Sequence, residues 1–121
     1  MRLLGSVPVF ACSDVAQSLD FYQQALQFVV LKKRVGDDGV EWAYLQSGDT
    51  LLMLEKSSQQ HERNSLSLNR LYLYCDDVPA MHHYLKAKAY DVSPVVRTAY
   101  MEEFDLADPD GQRLTIGRKI S

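Results

Sequence analysis

Two segments of this sequence repeat the same residue pattern at a constant offset of 63 positions. The first runs from Val7 to Val15 and the second from Arg70 to Val78. Each places an alternating apolar stretch before an acidic residue suited to capping a helix. The offset aligns Cys12 with Cys75, Asp14 with Asp77, Val15 with Val78, and Phe21 with Tyr84. The sequence therefore predicts two similar halves, and a pocket made from both is the first place to look for function.

The length and charge of the chain limit the classes of protein to which it can belong. A chain of 121 residues fits one compact domain whose core needs no disulfide or structural metal. The net charge of -3 gives no electrostatic reason to expect a nucleic acid or an anionic membrane as partner. We therefore expect neither of these partners, and a cationic small molecule remains open.

The cysteines and the N-terminus bear on the location of the protein. Cys12 and Cys75 both end apolar strands, where a free thiol usually packs as a small buried hydrophobic residue. The apolar run after Arg2 is short and contains Pro8, and its removal as a secretory signal would delete the first copy of the repeated strand. The sequence thus favours buried thiols in a cytoplasmic protein.

Alternation, helical spacing and turn residues predict the same order of elements in both halves. In the first half a strand over 6–12 precedes a helix, and strands over 28–31, 41–46 and 51–54 follow. In the second half the strands are predicted over 70–75, 92–97, 102–107 and 113–117, with a turn at Asp108-Pro-Asp-Gly111. The buried stripes of the two helices are predicted at Val15, Leu19, Tyr22 and Leu26, and at Val78, Met81, Leu85 and Ala89.

Each half therefore has the order strand, helix and three further strands. This order predicts an α+β fold in which two βαβββ modules form a curved mixed sheet with a concave cleft and with the helices on its outer face. The modules span about 1–56 and 70–121 of one domain, and a polar connection over about 57–69 joins them. Strand alternation assigns Leu71, Leu73 and Cys75 to the core and the intervening residues to the opposite face.

Two stretches carry a resemblance to a known family. They are the run from Val7 to Phe28 and the segment Tyr100-Met-Glu-Glu-Phe-Asp-Leu-Ala-Asp-Pro-Asp-Gly111 near the end. Together they resemble the glyoxalase / bleomycin-resistance / extradiol-dioxygenase superfamily, the vicinal oxygen chelate fold. Within it the chain looks closest to the bleomycin-resistance branch. The resemblance covers essentially the whole chain.

The resemblance implies where a metal would be bound. The metal enzymes of the superfamily take one ligand from each of four strands, typically His, Gln or Glu. The corresponding positions here are Val7, Met53, Arg70 and Thr115. A divalent ion needs about three protein donors, and a guanidinium has no lone pair to give. We therefore expect no metal, no cofactor and no catalytic residue of the kind used by those enzymes.

Strand parity and the resemblance together assign ten residues to the inner face of the predicted cleft. They combine flat aromatic area with carboxylates, which suits a planar, positively charged ligand. Bleomycin-type antibiotics, with a bithiazole ring system and a cationic tail, fit this description in outline. The ten residues are Trp42, Tyr44, Met53, Glu55, Arg70, Tyr72, Tyr74, Glu103, Asp105 and Arg113.

Other interpretations of these residues stay open. Trp42 and Tyr44 are equally typical of any half-buried sheet, and Glu103 and Asp105 can be solvated or paired with arginines. The histidines offer no ligand pair, because His82 and His83 are adjacent on a helix and point about 100° apart. They are expected to be partly exposed, and His61 lies in the polar connection.

Three functions follow from this sequence. The leading hypothesis is a metal-independent binding protein of the bleomycin-resistance type that sequesters its small-molecule ligand. The second is a glyoxalase- or dioxygenase-like enzyme with a shifted metal site that includes Glu55 and Glu103. The third is a degenerate family member that acts only as a protein-interaction or regulatory module. The resemblance also implies a homodimer, and Pro8 suits a hinge for exchange of the N-terminal strand, although an ordinary edge-strand proline is the alternative.

Overall fold

The computed structural model describes residues 1–57 and 69–120. Most of the predicted polar connection, including His61, therefore lies outside the described residues. The first module contains β1 (Val9–Cys12), α1 (Val15–Leu26), β2 (Val29–Gly36), β3 (Gly39–Ser47) and β4 (Thr50–Lys56). The second contains β5 (Arg70–Tyr74), α2 (Val78–Ala87), β6 (Val96–Arg97), β7 (Met101–Ala107) and β8 (Arg113–Lys119).

Helix α1 begins and ends at residues whose side chains or backbone favour those positions. The Asp14 carboxylate accepts a hydrogen bond from the Gln17 backbone N–H, which has no partner within the helix. At the other end Gln27 adopts a left-handed conformation with φ of 60°, and the Phe28 N–H donates to the Tyr22 carbonyl. The predicted stripe is confirmed, since Val15, Leu19, Tyr22 and Leu26 are all buried.

The sheet of the first module has the strand order β1-β4-β3-β2. Strand β1 pairs with β4 in parallel, and the other two pairs are antiparallel. Helix α1 packs on β3 and β4. The inward residues of these two strands are inaccessible to solvent: Ala43, Leu45, Leu52 and Leu54.

The second module repeats this topology. Its sheet has the order β5-β8-β7-β6, with β5 parallel to β8 and the remaining pairs antiparallel. The Asp77 carboxylate accepts a hydrogen bond from the Ala80 N–H, as Asp14 does from Gln17. The predicted α+β fold with two βαβββ modules is confirmed, and each module has its own four-stranded mixed sheet.

A buried carboxylate on β7 forms ion pairs with arginines on both neighbouring strands of the second sheet. Glu102 is 6% exposed and lies on the same face of β7 as Phe104. Its two oxygens lie 3.2 Å from Nε of Arg97 on β6 and 3.1 Å from Nε of Arg118 on β8. The charge is therefore paired from both neighbouring strands, as a buried carboxylate requires.

The end of α2 differs from the prediction. The helix ends at Ala87, whereas Ala89 is exposed and adopts a left-handed φ of 67°. The Tyr90 N–H donates to the Leu85 carbonyl and closes the turn. Ala89 therefore does not belong to the buried stripe, which contains Val78 and Leu85 as buried residues and Met81 as a half-buried one.

The strand predicted over 92–97 is reduced to Val96–Arg97. Pro94 has no N–H to give to a strand ladder. Ser93 instead holds β7 in two ways: its N–H donates to the Asp105 carbonyl, and its hydroxyl accepts from the Asp105 N–H at 2.8 Å. A side-chain hydrogen bond thus replaces the ladder at this edge.

The two thiols differ in burial. Cys12 is inaccessible to solvent, as predicted, but Cys75 is only half-buried. Cys75 lies just beyond the end of β5, which is the edge strand of its sheet, so fewer neighbours cover it. The first strand is also shorter than predicted, because Pro8 contributes only its carbonyl, which accepts from the Met53 N–H.

The polar turn between β7 and β8 forms as predicted. One carboxylate oxygen of Asp108 accepts hydrogen bonds from the backbone N–H groups of Asp110 and Gln112. Gly111 takes a positive φ of 82° that other residues adopt less readily. In the described part of the chain, neither helix has the length and apolar character needed to cross a membrane.

Replacing either cap residue is expected to lower stability. Asp14→Ala and Asp77→Ala each remove the acceptor of an otherwise unpaired helix N–H, and each is expected to lower the free energy of unfolding by about 1 kcal/mol. Urea denaturation measures the change. Asp91→Ala, at an exposed position outside both helices, is the control, and equal stability of all three variants would contradict the capping role.

Candidate functional site

Four of the predicted site residues share one face of the first sheet. Trp42 and Tyr44 alternate along β3 with the buried Ala43 and Leu45, so their side chains lie on the face opposite α1. Met53 and Glu55 alternate in the same way with the buried residues of β4. Trp42 is paired with Glu55 and Tyr44 with Met53 across the two strands.

The Trp42 and Tyr44 rings lie next to each other on this face. The ring centroids of Trp42 and Tyr44 are 6.2 Å apart, and the ring planes are inclined by 32°. Both residues are half-buried, whereas Glu55 is exposed. Directly paired residues in an antiparallel ladder are close enough for their side chains to interact. The first module therefore presents two aromatic rings beside one carboxylate.

A hollow of about 360 Å³ lies near this carboxylate. It is lined by Arg34, Glu41, Glu55, Lys56 and Ser57, which carry balanced charge. Nε of Arg34 lies 3.7 Å from the Glu41 carboxylate. A Cβ at Gly36 would collide with that carboxylate, so the glycine makes room for the Arg34–Glu41 pair.

The other six predicted residues share one face of the second sheet. Leu114 and Ile116 on β8, with Phe104 and Leu106 on β7, are buried on the helix side. Residues at the alternate positions face away from α2. These positions hold the predicted residues Arg70, Tyr72, Tyr74, Glu103, Asp105 and Arg113.

Tyr72 and Tyr74 form the aromatic pair of the second module. Their ring centroids are 5.3 Å apart at an interplanar angle of 56°. Tyr74 is 69% exposed, whereas the Tyr72 hydroxyl is buried. Burial raises the pKa of Tyr72, and the negative charge of Glu103 raises it further. The Tyr72 hydroxyl is therefore neutral at physiological pH.

Asp105 is the centre of a polar cluster on the same face. Its Oδ1 accepts a hydrogen bond of 2.7 Å from the Thr115 hydroxyl, and its Oδ2 accepts one of 2.8 Å from Nη2 of Arg113. Burial favours the neutral acid, but the hydrogen bonds from Thr115 and Arg113, with the charges of Arg113 and Arg70, outweigh it and lower the pKa of Asp105. Asp105 is thus held as a carboxylate.

The lowered pKa of Asp105 makes stability depend on acid. Because the pKa is lower in the folded than in the unfolded chain, the contribution is present above about pH 4 and lost as the pH falls through the folded pKa. We expect Asp105→Asn to lower the free energy of unfolding at pH 7 by about 1 kcal/mol, since Arg113 loses its charged partner on a half-exposed surface. The difference should shrink at pH 3. Urea denaturation at both pH values measures it, and an equal difference at both would contradict this role.

The structure distinguishes the two carboxylates of the second module. Asp105 is paired with Arg113, which is one of the two arrangements expected from the sequence. Glu103 makes no ion pair within residues 1–57 and 69–120, and neither does Arg70. Among the described residues, Asp105 and Arg113 on this face neutralise each other, whereas the Glu103 carboxylate and the Arg70 guanidinium make no ion pair.

The four positions that correspond to metal ligands lie in different surroundings. Val7 precedes β1, Met53 lies on β4, and Arg70 begins β5. Thr115 is buried on β8 and donates its hydroxyl hydrogen to Asp105. Among the described residues no group of three or more His, Cys, Asp or Glu side chains could hold a metal ion.

Two residues that matter in the second module were missed or underestimated from the sequence. The His82 ring nitrogen Nε2 lies 2.9 Å from the Ser93 carbonyl oxygen, and its ring meets Phe104 edge-on at 5.0 Å. His82 is half-buried as expected, but it also binds the segment after α2. Gly117 lies against the hydroxyl end of the Tyr72 side chain. The sequence carries no signal for this contact, because the strand register pairs Gly117 with Tyr74 and Tyr72 with Thr115.

A family model matches most of the chain. The model of the Glyoxalase/Bleomycin resistance protein/Dioxygenase superfamily matches residues 7–116. A search of curated proteins finds no match. The family resemblance inferred from the two sequence stretches is confirmed by this match.

Several solved structures share the fold. A glyoxalase/bleomycin resistance protein from Streptomyces sp. CB03234 is 25% identical, with 93% of this chain and 97% of that chain covered and a TM-score of 0.75. The antibiotic binding protein TnmS3 from the same organism is also 25% identical, with 98% and 99% covered and a TM-score of 0.78. A bleomycin-binding protein in complex with bleomycin is 18% identical, with 96% and 98% covered and a TM-score of 0.76, which shows likeness of fold.

Proposed function

Since the chain belongs to the Glyoxalase/Bleomycin resistance protein/Dioxygenase superfamily, we propose that it sequesters a planar or cationic small molecule in an aromatic-acidic cleft without a metal ion. One observation carries the proposal. Each module presents a pair of aromatic rings on the sheet face opposite its helix, together with an exposed or half-buried carboxylate. In the first module this carboxylate lies on the adjacent strand β4, and in the second it lies on β7, which β8 separates from the aromatic strand β5.

The chemistry of these two faces suits a flat cation. Aromatic faces carry negative electrostatic potential, so they attract cations and stack on planar rings. Glu55 beside Trp42, and Glu103 near Tyr72, add full negative charges. Neither carboxylate makes an ion pair within the described ranges, so both are free to bind a ligand cation. Bleomycin, with its bithiazole rings and cationic tail, is the first ligand to test.

The relatives support a small-molecule ligand. TnmS3 is described as an antibiotic binding protein and matches nearly the full length of this chain. The position of Arg70 argues against the superfamily's usual metal chemistry, because a guanidinium cannot coordinate a cation and repels it. Val7 and Met53 add no nitrogen or oxygen side-chain donor at their positions.

The unpaired carboxylates also leave a second function open. Glu55 and Glu103 are oxygen donors that a divalent ion could use, so a glyoxalase- or dioxygenase-like enzyme with a shifted metal site is the alternative. Metal analysis of the purified protein distinguishes the two. Divalent metal near one equivalent per chain favours the enzyme, and its absence from protein that binds ligand favours sequestration.

We further propose that the protein is a cytoplasmic homodimer. Cys12 and Cys75 form no disulfide in the described chain, which is compatible with a reducing compartment. Exposed apolar residues on β1 and β2, including Val9, Val29 and Val35, offer surface that a second chain could cover. Sedimentation equilibrium tests the dimer: twice the mass of one chain supports it, and the mass of one chain contradicts it.

Isothermal titration calorimetry with metal-free bleomycin tests the proposed function. We expect saturable binding with a dissociation constant of about micromolar or tighter, equal before and after EDTA treatment. Mass spectrometry should then recover the bleomycin unchanged, because sequestration involves no covalent step. Conversion of the ligand, abolished by EDTA, would contradict the proposal and favour the enzyme.

A further inference from the structure

The hydroxyl of Tyr72 is buried and has no hydrogen-bond partner in the described part of the chain. A buried hydroxyl without a partner costs free energy that water or a ligand would recover. Tyr72 as a whole is only half-buried, so part of the residue remains accessible. The Tyr72 side chain is therefore packed against the sheet while its hydroxyl group lacks a hydrogen bond to the described residues.

The ring is accommodated by the missing side chain of Gly117. A Cβ at this position would collide with Oη of Tyr72 and would lie 2.8 Å from Cζ and 2.9 Å from the Glu102 carbonyl oxygen. The backbone φ of Gly117 is not in the left-handed region, so backbone conformation does not explain the glycine. The close approach of the Tyr72 side chain explains why a glycine stands at this position. Gly117 forms a notch in the sheet surface, and Tyr72 fills it.

The surroundings of the notch suit a flat, polar guest. Tyr74 is paired with Gly117 across β5 and β8, and its ring is largely exposed, so it can stack on an incoming ring. Glu103 is paired with Gly117 on the other side. The charged groups near the Tyr72 hydroxyl are Glu103, Arg70 and Asp105.

We propose that Tyr72 is a specificity-determining residue whose ring leaves the Gly117 notch when ligand binds. A planar heteroaromatic group then occupies the notch beside Tyr74, and the freed Tyr72 hydroxyl hydrogen-bonds to a heteroatom at the edge of that group. This inference rests on the proposed function and specifies its ligand: a flat ring with a polar edge binds more tightly than a flat hydrocarbon of the same size.

The first test needs no ligand. Tyr72→Phe removes only the unpartnered hydroxyl, so its thermal midpoint should equal that of the parent protein or exceed it by up to about 3 °C. Tyr100→Phe, which removes an exposed hydroxyl outside both faces, is the matched control. A midpoint for Tyr72→Phe at least 3 °C below that of the control would show that the hydroxyl makes a favourable hydrogen bond, and would overturn the inference.

The second test uses metal-free bleomycin and the same variants in calorimetry. Tyr72→Phe should bind about tenfold more weakly than the parent protein, because the ligand loses one hydrogen bond, and Tyr100→Phe should bind within about twofold. Equal affinity of Tyr72→Phe and the parent protein would overturn the inference while leaving the proposed function intact. Absence of binding by the parent protein would instead contradict the proposed function and the ligand part of this inference with it.

Discussion

Replacing Trp42 with alanine is expected to weaken the binding of metal-free bleomycin about 30-fold or more. The indole is half-buried on the open face of the first sheet, 6.2 Å from the Tyr44 ring and paired with Glu55. Loss of one stacking surface of this kind costs about 2 kcal/mol of binding free energy, which corresponds to about 30-fold in the dissociation constant. Calorimetry measures the change directly.

Two further variants show whether a loss of affinity in Trp42→Ala is due to the missing aromatic ring at this position. Trp42→Phe keeps an aromatic face and should lose only part of the affinity. Tyr100→Ala removes a large aromatic side chain that is 68% exposed and belongs to neither face, so it should bind within about twofold of the parent protein. If Trp42→Ala binds within about threefold of the parent protein, the first module does not contribute an aromatic ligand surface.

Replacing Phe104 with alanine is expected to lower the free energy of unfolding by about 3–5 kcal/mol, the largest stability effect that we predict. Phe104 is 1% exposed and packs on the helix side of β7. Its ring meets the His82 ring of α2 edge-on, with centroids 5.0 Å apart. The substitution removes both buried apolar area and one aromatic contact between the sheet and α2.

Urea denaturation of three proteins tests the role of Phe104. Phe104→Leu refills most of the volume and should lose less than about 2 kcal/mol. Because Glu103 and Asp105 flank Phe104 on the same strand, the alanine variant should also disturb the open face of the second module. A loss below about 1 kcal/mol for Phe104→Ala would show that the ring is not part of the core.

The sequence predicts the module topology well because its signals are local. The acidic caps Asp14 and Asp77 each serve the helix that follows them, and the alternation along β3, β4, β7 and β8 is read from adjacent residues. Turns at Gly36–Gly39 and Asp108–Gly111 likewise depend on a few neighbouring positions. Because the second half repeats the residue pattern of the first, the order of elements predicted for one half also applies to the other.

The incorrect predictions arise at positions where hydrophobic periodicity alone is an insufficient guide. The strand over 92–97 is short because Pro94 interrupts it and the Ser93 hydroxyl takes over one bond to β7, which periodicity does not indicate. Cys75 is half-buried because it follows an edge strand, and strand order is a tertiary property. Ala89 is apolar and correctly spaced, yet the helix ends two residues earlier.

In the candidate site, too, the features that depend on local sequence were predicted, and those that depend on side-chain conformation were not. All ten predicted residues lie on sheet faces opposite the helices, since parity is a local signal. The structure brings together four of them in the first module and six in the second. Parity could not reveal that Thr115 and Arg113 hold Asp105, or that the Tyr72 hydroxyl has no partner in the described residues, because both depend on side-chain conformation.

The most direct test of ligand sequestration is a fluorescence titration of Trp42, the single tryptophan, with metal-free bleomycin before and after EDTA treatment. Trp42→Phe protein corrects for absorption of light by the ligand. We expect saturable quenching with a dissociation constant of about micromolar or tighter, unchanged by EDTA. A flat titration would contradict bleomycin binding at this face, and quenching that EDTA abolishes would contradict metal independence.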